Sequence, residues 1–465
     1  MTITELLGFS WRRERAPARN TTAARKLLGL SRELLAEKGE VSAHHAATGI
    51  FSAYESLTPE DRESFFDLLI KNFSPDPATL RRVAAEYSHD PSSANLISLQ
   101  EAVDPPRREL FRRLIVAPGG AKVLLDMRSQ VLHGLDQHPH WKPIAAELAD
   151  LFLPFFSRGL LALRRIDWST PATTLEKLMR YEAVHEIQGW SDLRRRLEAD
   201  RRCYGFFHPV LPDEPIIFIE TALTRGMSQK VQPLIDPQSP VTAPSSADCA
   251  VFYSITNCQD GLRGIPLGSF LIKQVVEDLR EEFPGLRRFA TLSPVPAFRK
   301  WLSELPSAPP LTALDQARWF EDKALNAQMQ AYLMPLCAHY LLHAKQGREP
   351  LDPVARFHLR NGATLERLNW LGDTSETGMR RSAGIMANYI YRLDEIERNQ
   401  ERYSRMHRVI ASHEIESAAK RCSLASRNGH PATGTPDSAP GSAAKITTPG
   451  PAKDSGLAPQ SRPGS

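Results

Sequence analysis

Residues 250–294 constrain the fold of this chain more than any other stretch, because the hydrophobic period changes along them. Residues 250–255 form an apolar run with the length and the β-branched and aromatic content of a buried strand. A loop with glycines at positions 261, 264 and 268 follows, and residues 271–283 then place apolar side chains on one helical stripe. A second apolar run, residues 288–292, ends at Ser293-Pro294, where the proline interrupts strand pairing. The order is therefore strand, glycine loop, helix and strand.

The glycine loop is a candidate phosphate-binding site. A loop that opens a helix presents unpaired backbone N–H groups and the positive end of the helix dipole, and both favour a pyrophosphate. The loop lacks the Gly-Lys-Ser/Thr of a P-loop and the G-x-G-x-x-G spacing of dinucleotide-binding proteins. An ordinary strand-to-helix turn explains the same spacing, so spacing alone leaves both interpretations open.

The segments on either side of this stretch differ in pattern. From about residue 20 to residue 166 the apolar residues recur at helical spacing, and Thr58-Pro59, Asp76-Pro77 and Asp104-Pro105 each indicate a capped helix start. These features predict an antiparallel helical bundle. After Trp168, short apolar runs typical of strands alternate with helical stripes, which predicts a mixed sheet with flanking helices. Beyond Cys422 large apolar residues are almost absent, so a disordered tail is expected.

Composition excludes several classes of protein. The chain has 465 residues, 42% of them hydrophobic, and a formal net charge of +4, which argues against a nucleic-acid protein that binds through bulk charge. No segment is apolar enough to span a membrane, and the N-terminus has no secretory signal. The five cysteines are scattered without a C-x-x-C pair, which favours a reducing compartment. We therefore expect a cytoplasmic protein with no nucleic-acid or membrane partner.

The glycine loop resembles the coenzyme A pyrophosphate loop of the GCN5-related N-acetyltransferase fold, although Pro266 stands where that pattern has glycine. A wider set of motifs, which share their order along the chain, is similar to malonyl-CoA decarboxylases. The motifs are Phe252-Tyr-Ser-Ile255, Gly261-Leu-Arg-Gly264, Leu267-Gly-Ser-Phe-Leu-Ile-Lys273, Glu282-Phe-Pro284, Leu292-Ser-Pro-Val-Pro-Ala-Phe-Arg-Lys-Trp-Leu302, Phe357-His-Leu-Arg-Asn-Gly-Ala363, Asn369-Trp370 and Met386-Ala-Asn-Tyr-Ile-Tyr391. By this resemblance the chain is identified as a member of that family.

The resemblance implies an α+β fold, in which an N-terminal all-α helical bundle is followed by a mixed-sheet, GCN5-related N-acetyltransferase-like α/β domain. We expect residues 1–170 to form the helical bundle, which serves packing or oligomerisation. Residues 171–422 are then the catalytic domain, and residues 423–465 the disordered tail. A homo-oligomer, either a dimer or a tetramer, is the expected assembly.

The resemblance also implies the reaction, in which malonyl-CoA becomes acetyl-CoA and carbon dioxide through an enolate. Such a site needs a coenzyme-binding loop, hydrogen bonds to the developing oxyanion and an acid that protonates C2, and it requires no metal or organic cofactor. Ser293 corresponds to the residue that orients and stabilises the reacting group. His358 corresponds to the proton donor, a role that suits a side chain with a pKa near neutrality. No Gly-x-Ser-x-Gly elbow surrounds Ser293, so it is not expected to be a covalent nucleophile.

The expected substrate-binding residues come from the glycine loop and from two later motifs. They are Arg263, Gly264, Ile265, Pro266, Leu267, Gly268, Ser269, Asn361 and Tyr391. Tyr391 is expected near the site, although a buried tyrosine can simply pack with its hydroxyl satisfied. Two other functions stay open from the residues alone: an acyl-CoA-dependent N-acyltransferase and a non-catalytic CoA-binding protein.

Two pairs of histidines have spacings seen in metal sites. His138 and His140 form a His-x-His pair, and His339 and His343 lie four apart on an expected helix. No neighbouring carboxylate or cysteine in the sequence completes either set, so no metal site is predicted.

Overall fold

The computed structural model describes residues 21–37, 39–265, 270–305, 311–316 and 318–422. Pro266, Leu267, Gly268 and Ser269, which the sequence predicts to bind the coenzyme, lie outside the described residues, as does the expected tail at residues 423–465. No helix within the described part is long and apolar enough to cross a membrane.

Eight α-helices form the first part of the described chain, as the sequence predicts. They are α1 (Thr22–Ala36), α2 (Glu40–Glu55), α3 (Pro59–Asn72), α4 (Pro77–His89), α5 (Ser93–Val103), α6 (Pro106–Val116), α7 (Gly120–Gly134) and α8 (Lys142–Phe155). Two of the expected helix starts are confirmed: the Thr58 hydroxyl accepts from Asp61 N, and the Asp76 carboxylate accepts from Ala78 N and Thr79 N.

The third expected cap is wrong. Helix α6 begins one residue later than predicted, at Pro106, and its N-cap is Pro105, which has no side-chain acceptor. Asp104 instead ends α5, and its carboxylate forms ion pairs with Arg108 at 3.3 Å and with Arg112 at 3.3 Å. Two consecutive prolines allow either start, because both are tolerated in the first turn of a helix.

The second part of the chain is built on one eight-stranded sheet. Its strands are β1 (Ala162–Ile166), β2 (Arg201–His208), β3 (Leu211–Thr224), β4 (Cys249–Asn257), β5 (Arg288–Thr291), β6 (Ser293–Pro294), β9 (Thr364–Asn369) and β10 (Met386–Ile390). The strand order is β1-β2-β3-β4-β5-β10-β6, and β9 also pairs with β10. The β4–β5 pair is parallel and the other pairs are antiparallel, so the sheet is mixed, as predicted.

The remaining elements surround this sheet. Strands β7 (Lys345–Gln346) and β8 (Glu349–Pro350) form a small separate ribbon. The helices are α9 (Ala172–Tyr181), α10 (Trp190–Arg196), α11 (Gln232–Ile235), α12 (Phe270–Glu282), α13 (Phe298–Ser303), α14 (Lys323–His343), α15 (Pro353–Arg360), α16 (Glu376–Ser382), α17 (Ile396–Met406) and α18 (His413–Lys420).

The strand β1 lies in a segment for which the sequence predicts helix. It is a five-residue edge strand with two arginines and with only Ile166 buried, so it lacks the alternation that identifies a strand. Its pairing with β2, from Ala162 opposite Phe207 to Ile166 opposite Cys203, is what makes it a strand.

One hydrophobic core continues from the helical bundle to one face of the sheet. It joins Phe66, Leu114 and Leu148 of the bundle with Tyr204 and Phe252 of the strands. Because this core is shared, the position of the bundle is coupled to that of the sheet, and a bundle helix can support a loop of the sheet.

Neighbouring strands β4 and β5 stop pairing at the end of β5. Strands β4 and β5 pair from Cys249 opposite Arg288 to Phe252 opposite Thr291. In β4 the register with β3 then shifts, leaving Tyr253 as an extra residue in a bulge. The chain after β5 leaves β4 and pairs with β10 through Ser293 opposite Ala387. This divergence places Ser293 where the parallel pairing ends.

Candidate active site

The end of β5 and the start of β6 place two hydroxyl groups side by side. Thr291 and Ser293 are two residues apart, so they lie on the same face of the strand. The Ser293 hydroxyl donates to Thr291 Oγ1 at 2.9 Å, and Thr291 Oγ1 also accepts from the backbone N–H of Tyr389 at 3.1 Å. Both side chains are buried. The expected site residue Ser293 therefore lies in a defined hydrogen-bonded position rather than at a free strand end.

Helix α15 positions His358. The helix has only eight residues, and both of its ends are stabilised by side chains. At its start, Asp352 Oδ1 accepts from Val354 N at 3.0 Å and from Ala355 N at 2.9 Å, and Pro353 occupies the first turn. Caps of this kind stabilise a helix by about 0.5–2 kcal/mol. The caps thus help this short helix to hold His358 in place, although it has no long apolar stripe to bury.

The end of α15 explains the Asn361-Gly362 pair in its motif. The Asn361 side chain donates to Phe357 O at 2.7 Å, so it caps the helix that carries His358. Gly362 has φ +80°, and a Cβ there would lie 2.4 Å from Ile396 O. Only glycine fits this turn, which leads the chain directly into β9. The described contacts of Asn361 are thus those of a helix cap, and its role in substrate binding stays a prediction.

His358 contacts both Ser293, the other expected catalytic residue, and a tyrosine. Its Nε2 lies 3.0 Å from Ser293 Oγ, and its Nδ1 lies 2.8 Å from the Tyr391 hydroxyl. The ring also stacks on Tyr389, with ring centroids 4.6 Å apart. Tyr389 and Tyr391 share a face of the chain at the end of β10 because they are two residues apart. The structure therefore brings together Ser293, His358 and Tyr391, as expected from the sequence.

The hydrogen-bond directions along this network define the histidine tautomer. Ser293 donates its hydroxyl hydrogen to Thr291, so its oxygen accepts from His358 Nε2–H. Nδ1 is then the acceptor, and the Tyr391 hydroxyl donates to it. Burial raises the pKa of Tyr391 well above its usual value, which keeps this hydroxyl protonated. The imidazole thus directs an N–H group toward Ser293.

Burial lowers the pKa of His358 to about 3. The cause is desolvation, because the side chain is removed from water and no carboxylate compensates a positive charge on the ring. The expectation of a pKa near neutrality is therefore wrong for the ring in these surroundings, and His358 is neutral at neutral pH. The sequence could not show this, because the surroundings of the ring come from distant segments.

The glycine loop is supported by the helical bundle. Arg128 of α7 is buried, and its guanidinium donates to Gly261 O and to Arg263 O, the latter at 3.0 Å, and to Ala145 O at 3.0 Å. A Cβ on Gly261 would lie 2.2 Å from Leu125 O, so only glycine permits this close approach of the loop to α7. The helical bundle therefore determines the position of the loop backbone.

The described end of the loop, residues 263–265, lies at the surface. Arg263 and Gly264 are exposed and Ile265 is half-buried, and their role in binding the coenzyme stays a prediction. Gly264 has φ +82°, a conformation that favours glycine.

Sequence reasoning missed three residues of this arrangement. Thr291 and Tyr389 precede Ser293 and Tyr391 by two residues, and the period of a strand is a signal that could have identified both. Arg128 lies 133 residues from Gly261 in a helix with no catalytic motif, so nothing in the sequence pointed to its role.

Both parts of the chain match family models of known proteins. Residues 159–428 match the family model of the malonyl-CoA decarboxylase C-terminal domain, and residues 73–156 match that of the malonyl-CoA decarboxylase N-terminal domain. The mitochondrial malonyl-CoA decarboxylase of Rattus norvegicus is 35% identical over 354 residues, which cover 69% of this chain and 72% of the relative. That of Anser anser anser is 36% identical over 348 residues, covering 67% and 69%.

Solved structures show the same relationship. The crystal structure of malonyl-CoA decarboxylase from Rhodopseudomonas palustris has a TM-score of 0.82 and 44% identity, and the match covers 85% of this chain and 100% of that one. The structure from Agrobacterium vitis has a TM-score of 0.78 and 43% identity, covering 85% and 99%. Both parts of this chain match the family in order, and more than half of its residues fall in the C-terminal match alone. The chain belongs to the malonyl-CoA decarboxylase family.

Proposed function

We propose that this protein converts malonyl-CoA to acetyl-CoA and carbon dioxide at the pair formed by Ser293 and His358. The observation that carries the proposal is the 3.0 Å contact between Ser293 Oγ and His358 Nε2, located where β5 leaves β4. The contact joins the two residues to which the family resemblance assigns the chemistry, and they come from separate elements of the fold.

Breaking the bond between C2 and the carboxylate releases carbon dioxide and leaves an electron pair on C2. That pair delocalises onto the thioester oxygen, so an enolate forms and its charge must be stabilised. The Ser293 hydroxyl supplies this hydrogen bond by turning from Thr291 Oγ1 toward the thioester oxygen. The substrate's own thioester is the electron sink, so the step consumes no other reactant.

The enolate then takes a proton at C2. A neutral imidazole is a poor acid, so His358 must gain a proton once the substrate is bound. The malonyl carboxylate brings a negative charge to the buried ring, and an opposite charge at close range raises the pKa of a histidine. The imidazolium gives its Nε2 proton to C2, which leaves a neutral ring with its hydrogen on Nδ1, directed at the Tyr391 oxygen. Gain of a solvent proton at Nε2 and loss of the Nδ1 proton restore the starting tautomer, in which Tyr391 donates to Nδ1. Tyr391 is thus a positioning residue, since it acts through His358.

The glycine loop holds the coenzyme in this proposal. Backbone N–H groups in residues 263–269, at the start of α12, bind the diphosphate, and exposed Arg263 adds a positive charge. Arg128 contributes indirectly, because it holds two carbonyl groups of the same loop.

The decisive experiment incubates the purified protein with malonyl-CoA and no acceptor, and it follows acetyl-CoA and carbon dioxide. A decarboxylase turns over under these conditions, whereas an N-acyltransferase needs an amine acceptor and a non-catalytic CoA-binding protein binds without releasing carbon dioxide. Ser293→Ala is the matched control for a contaminating activity, and it should bind malonyl-CoA with little turnover. Binding without turnover by the wild-type protein contradicts the proposal.

A homo-oligomer, dimer or tetramer, is part of the proposal. Helix α5 buries no residue and α4 buries only Val83, while Ile97 and Val103 are 55% and 51% exposed. Two helices with so little buried surface gain stability from a second copy of the chain. Light scattering coupled to gel filtration tests this, and Ile97→Asp should shift the wild-type mass toward that of the monomer. A monomeric wild-type protein contradicts this part.

The division into residues 1–170, 171–422 and 423–465, and a cytoplasmic location, also stay proposals. Strand β1 lies on the N-terminal side of the first boundary although it pairs with β2. The rat and goose relatives are mitochondrial by name, so fractionation of the source cells is the direct test of location.

A further inference from the structure

A cluster of metal-ligating side chains lies in the helical bundle, outside the sheet that carries Ser293. Asp67 of α3, His138 and His140 place one ligand atom each within 4.8 Å of one another. His138 precedes the 3-10 turn Pro139–Trp141, and His140 lies inside it. The sequence showed the His-x-His pair but not its carboxylate, because Asp67 is 73 residues away from His140.

The ring of His138 is held in a fixed orientation. It stacks on the buried Trp141, with ring centroids 4.0 Å apart and an angle of 7° between the planes. The indole of Trp141 in turn donates to Asp67 Oδ1 at 2.8 Å. A Cβ on Gly134 would lie 2.4 Å from the indole ring, so glycine makes room for it at the end of α7. Trp141 therefore positions a nitrogen ligand and a carboxylate ligand together.

The Nε2 atom of His138 is buried and lacks a hydrogen-bond partner among the described residues. It lies 3.7 Å from Glu63 Oε2, which is too far for a hydrogen bond. Two ligands of one tetrahedral zinc ion, with bonds of about 2.0–2.1 Å, are separated by about 3.3 Å. Glu63 precedes Asp67 by four residues on α3, so both carboxylates lie on the same face of the helix. The buried Nε2 of His138, which makes no hydrogen bond to a described residue, thus lies 3.7 Å from one carboxylate and within 4.8 Å of the ligand atoms of Asp67 and His140.

We propose that Asp67, His138 and His140 bind a zinc ion, with Glu63 or a water molecule as the fourth ligand. Two imidazoles and a carboxylate favour zinc over calcium or magnesium, which prefer oxygen ligands. At present His140 Nε2 and Asp67 Oδ1 are 2.7 Å apart, and the ion replaces the shared hydrogen between them. The Trp141 N–H bond to Asp67 remains and orients the carboxylate around the ion.

The role of the ion is to hold α3 against the turn between α7 and α8. Its ligands come from two segments of the bundle, so ion binding stabilises the folded form and not the unfolded chain. Ser293 and His358 belong to other elements, and the ion takes no part in decarboxylation.

The test uses full-length protein freed of metal by a chelator and then titrated with zinc chloride by calorimetry and thermal unfolding. The wild type should bind one ion per chain at this cluster and gain melting temperature. His140→Asn should weaken the affinity at least about 10-fold, since even the loss of an outer partner of a metal site has this effect. Asp67→Asn retains an oxygen acceptor for Trp141 and should show the same loss.

The matched control is His44→Asn, which removes an exposed histidine of α2 beside His45. It should bind zinc as the wild type does. All variants should keep wild-type decarboxylation in the presence of chelator, which shows that they are folded. Equal zinc affinity in the wild type and in His140→Asn overturns the proposal, as does the absence of a zinc-dependent rise in melting temperature.

Discussion

The hydroxyl of Tyr391 lies 2.8 Å from Nδ1 of His358, while Nε2 of the same ring lies 3.0 Å from Ser293 Oγ. The two nitrogens of one buried imidazole are therefore both engaged, one by a residue that can contact substrate and one by a residue behind it. This arrangement determines which nitrogen carries the hydrogen, and it is the basis of the first prediction.

Tyr391→Phe should lower kcat by about 10- to 100-fold and leave KM for malonyl-CoA nearly unchanged. The substitution leaves a buried Nδ1 without a donor, and such a group costs about 1–3 kcal/mol. Steady-state kinetics provide the measurement. The matched control is Tyr403→Phe, which removes a hydroxyl that bonds to Glu349 instead and should retain wild-type kcat. A wild-type kcat in Tyr391→Phe would show that the tautomer is set in another way.

Ser293 and His358 should be separable by isotope behaviour. Ser293→Ala should lower kcat by about 10²–10³, the range for one lost oxyanion hydrogen bond. His358→Asn should lower it by about 10²–10⁴, as expected for a lost general acid. In heavy water the wild type and Ser293→Ala should place deuterium on the acetyl methyl group stereospecifically, and His358→Asn should not.

NMR or mass spectrometry of acetyl-CoA made from a malonyl-CoA labelled at C2 measures this difference. If His358→Asn keeps both a normal kcat and the stereochemistry, another group protonates C2 and the role assigned to His358 is wrong.

His358 should also make the protein sensitive to acid. Its pKa falls from 6.5 to about 3 on folding, so between these values the unfolded chain binds a proton that the folded chain does not. Stability is therefore complete above about pH 6.5 and declines as pH falls toward 3. At pH 5 the pH lies about 1.5 units below the unfolded value, and at about 1.4 kcal/mol per unit the loss is about 2 kcal/mol.

Thermal unfolding of the wild type and of His358→Asn at pH 7 and pH 5 checks this effect. The drop in melting temperature on acidification should be smaller in His358→Asn, whatever its stability at pH 7. His44→Asn serves as the control with an exposed histidine and should show the wild-type drop. Equal drops in all three proteins would contradict the neutral, buried state of His358.

Arg128→Lys should raise KM for malonyl-CoA several-fold with a smaller change in kcat. Lysine has one ammonium in place of a planar fork, so it cannot hold the carbonyls of Gly261, Arg263 and Ala145 together. The loop that binds the coenzyme then loses its fixed position. Arg113→Lys is the control, because Arg113 also holds two carbonyls, of Leu34 and Glu37, but within the bundle. If both variants change KM equally, the effect comes from the bundle and not from the loop.

Several features of this protein follow from the sequence because they depend on neighbouring residues. The cap at Thr58, the cap at Asp76 and the order of β4, α12 and β5 are local, since a cap bonds to N–H groups within three residues and a hydrophobic period repeats every few residues. Neighbouring residues did not predict the start of α6, because a start after Asp104 and a start one residue later were nearly equal. They did not predict β1 either, because that strand is defined by its pairing with β2.

The remaining features were decided by the tertiary structure. Ser293 and His358 are 65 residues apart, and only the packing of α15 against the divergent strands brings them to 3.0 Å. The low pKa of His358 comes from the exclusion of water by distant segments, which no property of its own motif can reveal. Arg128 reaches the glycine loop, and Asp67 completes the histidine pair, for the same reason. The sequence determined which residues carry the chemistry and which local elements hold them, whereas their distances, hydrogen-bond directions and charges depended on long-range packing of the folded chain.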